Sequence, residues 1–236
     1  MNPFKLILNL VLPAECHICG KTLIGPEEFV CHDCLSHLPA TGFERYWTNR
    51  TGLNSDLNPM EQRFAGQIPL GHACAPFFYT RDSGLASLIH DFKYRGFSRL
   101  AVMLGRHGAG LLKPSGFFRH TDIILPVPLH WTKKHKRGYN QSEMLARGIS
   151  EATGIPVGKN LRAARAHRTQ TSLNPIERME NTKGVFRVDK ADRLSGKTVL
   201  LVDDICTTGA TLLAAGDAVA RAAAGVRLNI FTLGVV

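Results

Sequence analysis

Residues 199–211 read VLLVDDICTTGAT, an apolar run followed by two acids and a loop of threonine, glycine and alanine. The apolar run, 199–202, predicts a parallel strand buried on both faces, because a strand with one exposed face alternates apolar and polar residues. Asp203 and Asp204 come at the carboxyl end of this strand, and an alanine-rich helix is predicted over residues 211–224. A buried strand that leads through a short loop into a helix is typical of an α/β sheet.

The acids and the loop together indicate a site for a sugar phosphate. Neighbouring carboxylates repel each other, and burying them is costly unless a ligand or a cation meets them. The loop offers backbone N–H groups, hydroxyl groups and the positive end of a helix dipole, which suit a phosphate monoester. Gly209 permits close approach of the backbone. The alternative is an ordinary helix start with solvated acids. A nucleotide-binding P-loop is excluded, because no GxxxxGK[ST] sequence occurs.

The segments around this motif alternate between strand-like and helix-like patterns. Strands are predicted at 77–80, 123–128 and 226–236, and helices at 84–94, 98–112 and 138–153. This alternation predicts an α/β fold with a doubly wound parallel sheet. The chain divides into three zones, which are an N-terminal zone at 1–40, an irregular polar connector at 41–75 and the α/β domain at 76–236.

Residues 4–12 form a short apolar stretch that has two interpretations. The spacing of its apolar residues predicts an amphipathic helix that packs on the protein, whereas a signal peptide is the alternative. The stretch is much shorter than the roughly 20 residues that a membrane span needs. The chain has 236 residues, of which 44% are hydrophobic and 20% charged, as in an ordinary folded protein. We expect a cytoplasmic protein without a membrane span.

Two C-x-x-C pairs near the N-terminus predict a structural zinc site. Each pair places two thiolates on one side of a turn, and Gly20 lets the chain turn back under the metal. Two pairs complete the tetrahedral shell of a small zinc-ribbon-like module that does no chemistry. The alternatives are a redox dithiol, unliganded buried thiols, or a site in which His17 or His32 replaces one sulfur. The predicted ligands are Cys16, Cys19, Cys31 and Cys34.

Residues 199–211 resemble the phosphoribosyl pyrophosphate (PRPP) motif of type I phosphoribosyltransferases. The resemblance implies a type I phosphoribosyltransferase-like fold and Mg²⁺ bound with PRPP. It also implies that Asp203 and Asp204 hold the ribose hydroxyls. The 5′-phosphate would be held by the loop residues Thr207, Thr208, Gly209, Ala210 and Thr211.

The whole chain resembles the ComF competence-protein family. The resemblance rests on the two cysteine pairs, the PRPP motif and three further motifs that occur in the family's order: LIHDFKYRG at 88–96, PVPL at 126–129 and RGYNQS at 137–142. It implies that Val127 and Pro128 form a pyrophosphate loop, and it implies a role in DNA uptake. The oligomeric state is left undetermined, with a homodimer as one candidate.

Two departures from related proteins narrow this expectation. Purine-salvage phosphoribosyltransferases have an acid in the loop that serves the nucleobase, and Thr207 stands there instead. Purine salvage is therefore disfavoured. Many ComF relatives have a second set of cysteine pairs, but this chain has only Cys74 in that region, so one metal site is expected.

Basic residues are concentrated between residues 119 and 168. The chain has 29 Lys and Arg against 19 Asp and Glu, and this stretch contains ten of the basic and three of the acidic residues. One interpretation has Arg137 meet the pyrophosphate. Residues 162–171 resemble the mobile loop of the family, and the resemblance implies that this loop, with Arg168 as its cation, closes over the site. Another is a groove for single-stranded DNA, with Lys133, Lys134 and Lys136 on the backbone and Trp131, Tyr139 or Tyr94 stacked on bases. The third interpretation is that these basic side chains form an ordinary solvated surface.

Two functions therefore remain open. The first is a phosphoribosyltransferase that displaces pyrophosphate from PRPP, or a related ribose 5-phosphate, with an unknown acceptor. The second is a non-catalytic protein of natural transformation that binds single-stranded DNA or senses PRPP and contacts the DNA-uptake machinery.

Overall fold

The computed structural model describes residues 14–48, 57–129, 137–164 and 184–236. The strands are β1 Leu70–Cys74, β2 Phe77–Phe78, β3 Ile123–Pro126, β4 Leu161–Ala163, β5 Phe186–Val188, β6 Thr198–Cys206 and β7 Arg227–Val235. The helices are α1 His32–Ser36, α2 Arg45–Thr48, α3 Pro59–Gln62, α4 Gly84–Tyr94, α5 Ser98–Leu112, α6 Gln141–Thr153 and α7 Ala210–Ala222. Within these ranges, no helix is long and apolar enough to cross a bilayer.

The central sheet is parallel, with the strand order β1-β7-β6-β3, and β2 also pairs with β7. Strand β6 lies between β3 and β7, with Val202 opposite both Pro126 and Phe231. Residues 199–202 of β6 are completely buried. Strands β4 and β5 form a separate antiparallel pair.

Helices cover both faces of this sheet. A Cβ added to Gly216 of α7 would lie 3.2 Å from the side chain of Leu228, and one added to Gly108 of α5 would lie 3.1 Å from the ring of Phe231. Because successive side chains of a strand point to opposite faces, Leu228 and Phe231 lie on opposite faces of β7. Helices α7 and α5 therefore pack on opposite faces, and the predicted doubly wound parallel sheet is confirmed.

Helix α6 is packed so closely on α5 that the two backbones touch. A Cβ on Gly148 would lie 2.0 Å from the carbonyl oxygen of Val102, and a Cβ on Gly105 would lie 2.3 Å from that of Leu145. No side chain larger than hydrogen fits at either glycine. This contact fixes α6 against the sheet, and its first turn then lies at the carboxyl end of β6.

The element boundaries mostly follow the sequence. The helices predicted at 84–94 and 98–112 are confirmed, and the strand predicted at 123–128 ends at Pro126. The helix predicted from residue 138 begins at Gln141, because the side chain of Asn140 accepts a hydrogen bond from Ser142 N and caps it. The amphipathic helix predicted at 4–12 lies outside the described residues.

The segment 57–75 differs from the irregular connector that the sequence predicted. Strand β1 pairs with β7, and Met60 and Phe64 are fully buried. Asn58 caps α3 and donates from Nδ2 to the carbonyl oxygen of Ala73 at 2.9 Å. The strand was missed because its sequence, LGHAC, does not alternate and its pairing partner lies more than 150 residues away. The division into three domains stays a prediction.

Candidate functional site

The acidic side chains of Asp203 and Asp204 lie at the carboxyl end of β6, and each is contacted by a side chain from a helix. Ser142 Oγ donates to Asp203 Oδ1 at 2.9 Å, and Asp204 N donates to the same oxygen at 2.9 Å. Lys93 Nζ lies 2.8 Å from Asp204 Oδ2, and both side chains are about one-sixth exposed. The cation or ligand that adjacent carboxylates require is therefore partly supplied by Lys93 of α4.

The environment of Asp203 favours its protonated form. Burial, and next the charge of Asp204, raise the pKa of Asp203 to about 7. The hydrogen bonds from Asp204 N and Ser142 and the charge of Lys93 act in the opposite direction and are smaller. The carboxylate therefore takes up a proton near neutral pH, where a surface aspartate is fully ionised.

The loop after β6 leads directly into the N-terminus of α7. Gly209 is the N-cap of α7 with φ of +81°, a conformation that favours glycine, and it has no side chain to cap the helix. Thr208 Oγ1 accepts a hydrogen bond from Ala210 N at 3.4 Å. Thr207 and Thr208 are exposed. The first turn of α7 therefore presents N–H groups and the positive end of its dipole beside exposed hydroxyls, which suits a phosphate group.

Two residues of the segment 57–75 contact the loop between β6 and α7 and hold its backbone. The guanidinium of Arg63 donates to the carbonyl oxygen of Thr207 and, at 2.5 Å, to that of Val236. A Cβ on Gly209 would lie 3.1 Å from the ring of Phe64. Arg63 and Phe64 thus hold the loop in place. The sequence did not indicate this role, because the segment was predicted to be an irregular connector.

The predicted pyrophosphate loop lies next to the acids in the sheet. Val127 N donates to the carbonyl oxygen of Val202 at 2.9 Å, directly before Asp203. Asn140 Nδ2 donates to the carbonyl oxygen of Val127 at 3.0 Å. The structure therefore brings together residue 127, the first turn of α6 and the end of β6. Pro128 follows Val127 and is half-buried.

Arg137 lies on Tyr94, beside the end of α4. Its guanidinium carbon is 5.1 Å from the centre of the Tyr94 ring, and it donates to Tyr94 Oη at 3.3 Å and to Gln141 Oε1 at 3.2 Å. Tyr139 Oη donates to the carbonyl oxygen of Phe92, so its hydroxyl is anchored to α4. Arg168, Trp131 and the three lysines 133, 134 and 136 lie outside the described residues.

A cavity of about 650 Å³ opens beside Pro128, between α6 and β4. Its wall combines apolar side chains such as Leu129 with the basic residues Arg147, Lys159 and Arg162. Its volume is in the range of small-molecule sites.

The four predicted zinc ligands converge. Their sulfur atoms all lie within 4.8 Å of one another, and Cys19 Sγ is 3.7 Å from Cys31 Sγ. Zinc–sulfur bonds of about 2.3 Å in a tetrahedron put the sulfurs about 3.8 Å apart, so the cluster fits a zinc ion. In the described part of the chain, no other group of three or more His, Cys, Asp or Glu side chains could hold a metal.

The surroundings of these thiols favour a bound cation. Burial raises the pKa of Cys16, but backbone N–H groups, among them those of Ile18 and Cys31 at 3.5 and 3.4 Å, outweigh it and lower the pKa to about 6. Burial and the neighbouring thiols raise the pKa of Cys34. One thiolate thus opposes ionisation of the next, and a divalent cation removes that conflict. Gly20 has the predicted positive φ, +73°.

Lys93 and Ser142 were not identified as site residues from the sequence. Both belong to stretches that carried the family resemblance, LIHDFKYRG and RGYNQS. Only the fold shows that α4 and α6 bring them to the acids.

Known proteins of two kinds are similar to this chain. Competence protein F of Haemophilus influenzae is 36% identical over 61% of this chain and 62% of its own length. The DNA utilization protein YhgH of Salmonella typhimurium is 31% identical over 54% of this chain and 57% of its own length. The competence protein ComFC of Bacillus subtilis is 23% identical over 89% of this chain and 86% of its own. The first two matches thus span about three fifths of those relatives.

A family of domains, described as the phosphoribosyl transferase domain, matches residues 115–232. These residues hold β3, β6, α7 and most of β7, together with Asp203, Asp204 and the loop at 207–211. The resemblance to ComF-type competence proteins is confirmed by the relatives of that name. The chain belongs to the phosphoribosyl transferase domain family.

Proposed function

We propose that this protein binds PRPP with Mg²⁺ and transfers its ribosyl 5-phosphate to an acceptor, with release of pyrophosphate. One observation carries the proposal: a pair of carboxylates and a helix N-terminus suited to phosphate lie on one continuous segment, from Asp203 to Thr211. A sugar phosphate needs acceptors for its hydroxyls and N–H donors for its phosphate, and this segment supplies both.

Each group of residues has a role in this proposal. Asp203 and Asp204 accept hydrogen bonds from the ribose hydroxyls, and the loop 207–211 holds the 5′-phosphate. Val127 and Pro128 hold the pyrophosphate, Arg137 swings from Tyr94 to meet it, and Arg168 is the cation of a closing loop. Mg²⁺ usually binds through substrate phosphates and one or two carboxylates, so it would arrive with PRPP and neutralise charge on the pyrophosphate.

The reaction breaks the bond between ribose C1 and the pyrophosphate oxygen. Pyrophosphate leaves with the bonding electron pair, and the acceptor forms its new bond to C1 while losing a proton. Arg137, together with Mg²⁺ when it is bound, would stabilise the charge that develops on the leaving oxygen. The cavity beside Pro128 supports the proposal by offering room for an acceptor next to the pyrophosphate loop.

Pyrophosphate release tests this function. The purified protein with PRPP and Mg²⁺ is supplied with ammonia, amines, nucleobases and nucleosides in turn, and pyrophosphate is measured by a coupled assay. We expect release with at least one acceptor and none with Asp203→Asn. Absence of release with every acceptor would contradict turnover.

A second function is favoured by the names of the relatives and by the basic stretch at 119–168. We propose as the alternative that the protein binds single-stranded DNA, or senses PRPP without turnover, in natural transformation. Fluorescence anisotropy with single-stranded DNA between 50 and 200 mM salt tests DNA binding, which should weaken steeply as salt rises. Binding that survives charge reversal of Lys133, Lys134 and Lys136 would contradict this groove.

We propose that the four cysteines hold one structural zinc ion. The convergence of four sulfur atoms, all within 4.8 Å of one another, supports zinc over a redox dithiol, which needs only two. The site is closed by four protein ligands, so zinc would stabilise the module and do no chemistry. The structure joins none of the six cysteines in a disulfide, and we propose a cytoplasmic location. The homodimer stays a hypothesis that light scattering tests.

A further inference from the structure

The first cysteine pair contacts helix α4 through the residue between its ligands. His17 Nδ1 lies 2.6 Å from Asp91 Oδ2, and the two side chains are 15% and 8% exposed. Because an ionised carboxylate can only accept, the proton lies on Nδ1 and His17 donates. The His17 ring also packs edge-on to Phe97 at 4.6 Å and to Phe29 at 5.8 Å.

The cysteine module contacts the beginning of α4 as well as its end. A Cβ on Gly84, the first residue of α4, would lie 2.9 Å from Ile18 Cδ1, so the Ile18 side chain packs directly on the helix at this glycine. Ile18 and His17 thus touch α4 at its first and its last turns. The module thereby fixes both the position and the rotation of this helix.

The last turn of α4 connects the module to the acids of β6. Asp91 and Lys93 are two residues apart, and two residues span about 200° around a helix axis, so their side chains leave α4 on opposite sides. Asp91 points to His17 and Lys93 to Asp204 Oδ2, at 2.8 Å. The last turn of α4 therefore contacts the cysteine module on one side and the proposed PRPP site on the other.

We propose that His17 and Asp91 are positioning residues that hold Lys93 on Asp204, so that an intact metal module is required for tight PRPP binding. This inference rests on the proposed function, because it assigns the module a role at the same site. Arg95 and His90 also approach Asp91, at 3.3 and 3.8 Å, but both are more than half exposed. His17 is the least exposed of the three partners, and its loss would let the end of α4 rotate.

Three variants test the contact. His17→Phe keeps the aromatic packing on Phe97 and Phe29 but removes the donor to Asp91. His17→Asn loses the ring but retains an N–H group near the place of Nδ1. Arg95→Ala removes an exposed partner of Asp91 but leaves His17 in place, and it is the matched control. Zinc content and thermal unfolding verify that each variant keeps its module and its fold.

The pKa of Asp203, followed by carboxyl NMR, is the first readout and needs no PRPP. Lys93 lowers this pKa, so Lys93→Met should shift it upward. His17→Phe should shift it in the same direction and add nothing in the Lys93→Met background, whereas His17→Asn and Arg95→Ala should match the wild type. Zinc removal from the wild type by a chelator should reproduce the shift. An unchanged pKa in both His17→Phe and the zinc-depleted wild type would overturn the proposal.

The dissociation constant of PRPP with Mg²⁺, measured by calorimetry, is the second readout. We expect His17→Phe to weaken binding by about tenfold, which corresponds to about 1.4 kcal/mol, and His17→Asn to restore most of it. Wild-type affinity in His17→Phe would overturn the coupling. No PRPP binding by the wild type would overturn the proposed function instead, and the NMR titration would then decide the coupling by itself.

Discussion

The hydroxyl of Ser142 lies 2.9 Å from Asp203 Oδ1, and it joins the first turn of α6 to the end of β6. This hydrogen bond stabilises the ionised carboxylate and so lowers the pKa of Asp203 against the effect of burial. The close packing of α6 on α5 at Gly148 and Gly105 holds Ser142 in reach of this carboxylate. A shift of this helix by one ångström would break the contact.

Ser142→Ala should make PRPP binding require a higher pH. Ribose hydroxyls donate to the ionised form of Asp203, so wild-type affinity should fall about tenfold from pH 8 to pH 6 when the pKa is about 7. The variant should raise this pKa and shift the midpoint upward. Calorimetric titrations between pH 6 and pH 9 measure it, with Ser150→Ala on the same helix as the control. An identical pH profile in Ser142→Ala would contradict the role of this hydroxyl.

Asp203→Asn should stabilise the unliganded protein at neutral and alkaline pH. The folded-state pKa of about 7 lies above the unfolded value of about 3.9, so the folded state holds the proton more tightly. Stability of the wild type therefore falls as pH rises from about 4 to about 7, and the asparagine variant lacks this loss. We therefore compare the free energy of unfolding of Asp203→Asn with that of the wild type. This difference should be about 1–2 kcal/mol larger at pH 8 than at pH 4, after a discount for solvent that screens the Asp203–Asp204 pair.

Urea unfolding at both pH values measures this difference. Asp217→Asn, at a surface aspartate that pairs with Arg221, is the control for the loss of one charge. A gain for Asp203→Asn that is independent of pH would show that Asp203 ionises normally in the folded protein.

Arg63→Ala should weaken phosphate binding more than it destabilises the fold. The variant removes the guanidinium that donates to the carbonyl oxygens of Thr207 and Val236, and each lost hydrogen bond is worth about 1 kcal/mol. The loop at 207–211 would then sample other conformations, and we expect the dissociation constant of ribose 5-phosphate to rise about tenfold. Arg221→Ala, an exposed arginine of α7, should leave it unchanged. Equal affinities in the two variants would rule out the supporting role.

Cys19→Ser should remove the metal. Purified wild-type protein should contain about one zinc per chain by elemental analysis, and the variant should contain almost none, because a neutral hydroxyl is a poor fourth ligand. Its module should unfold at a lower temperature. Cys74→Ala, at a buried cysteine outside the cluster, should retain its zinc. Zinc-free wild-type protein with a fully folded module would contradict a structural metal site.

The sequence predicted the elements whose patterns are local. The apolar run 199–202 identified β6, and the C-x-x-C spacing identified the cysteine cluster. Strand β1 and the loop support from Arg63 were missed, because their partners are distant in sequence and LGHAC carries no alternation. Lys93 was missed as a site residue for a related reason: a lysine near the end of an amphipathic helix is usually a solvated residue, and only the packing of α4 brings it to Asp204.

The proposed PRPP site is tested most directly by a calorimetric titration of PRPP with Mg²⁺ into the wild type, Asp203→Asn and the control Asp217→Asn. We predict saturable binding to one site per chain in the wild type and in the control, and none in Asp203→Asn; urea unfolding of the variant at pH 8 tests whether it is folded. No binding by the wild type, or equal binding by all three proteins, would contradict a PRPP site at the end of β6.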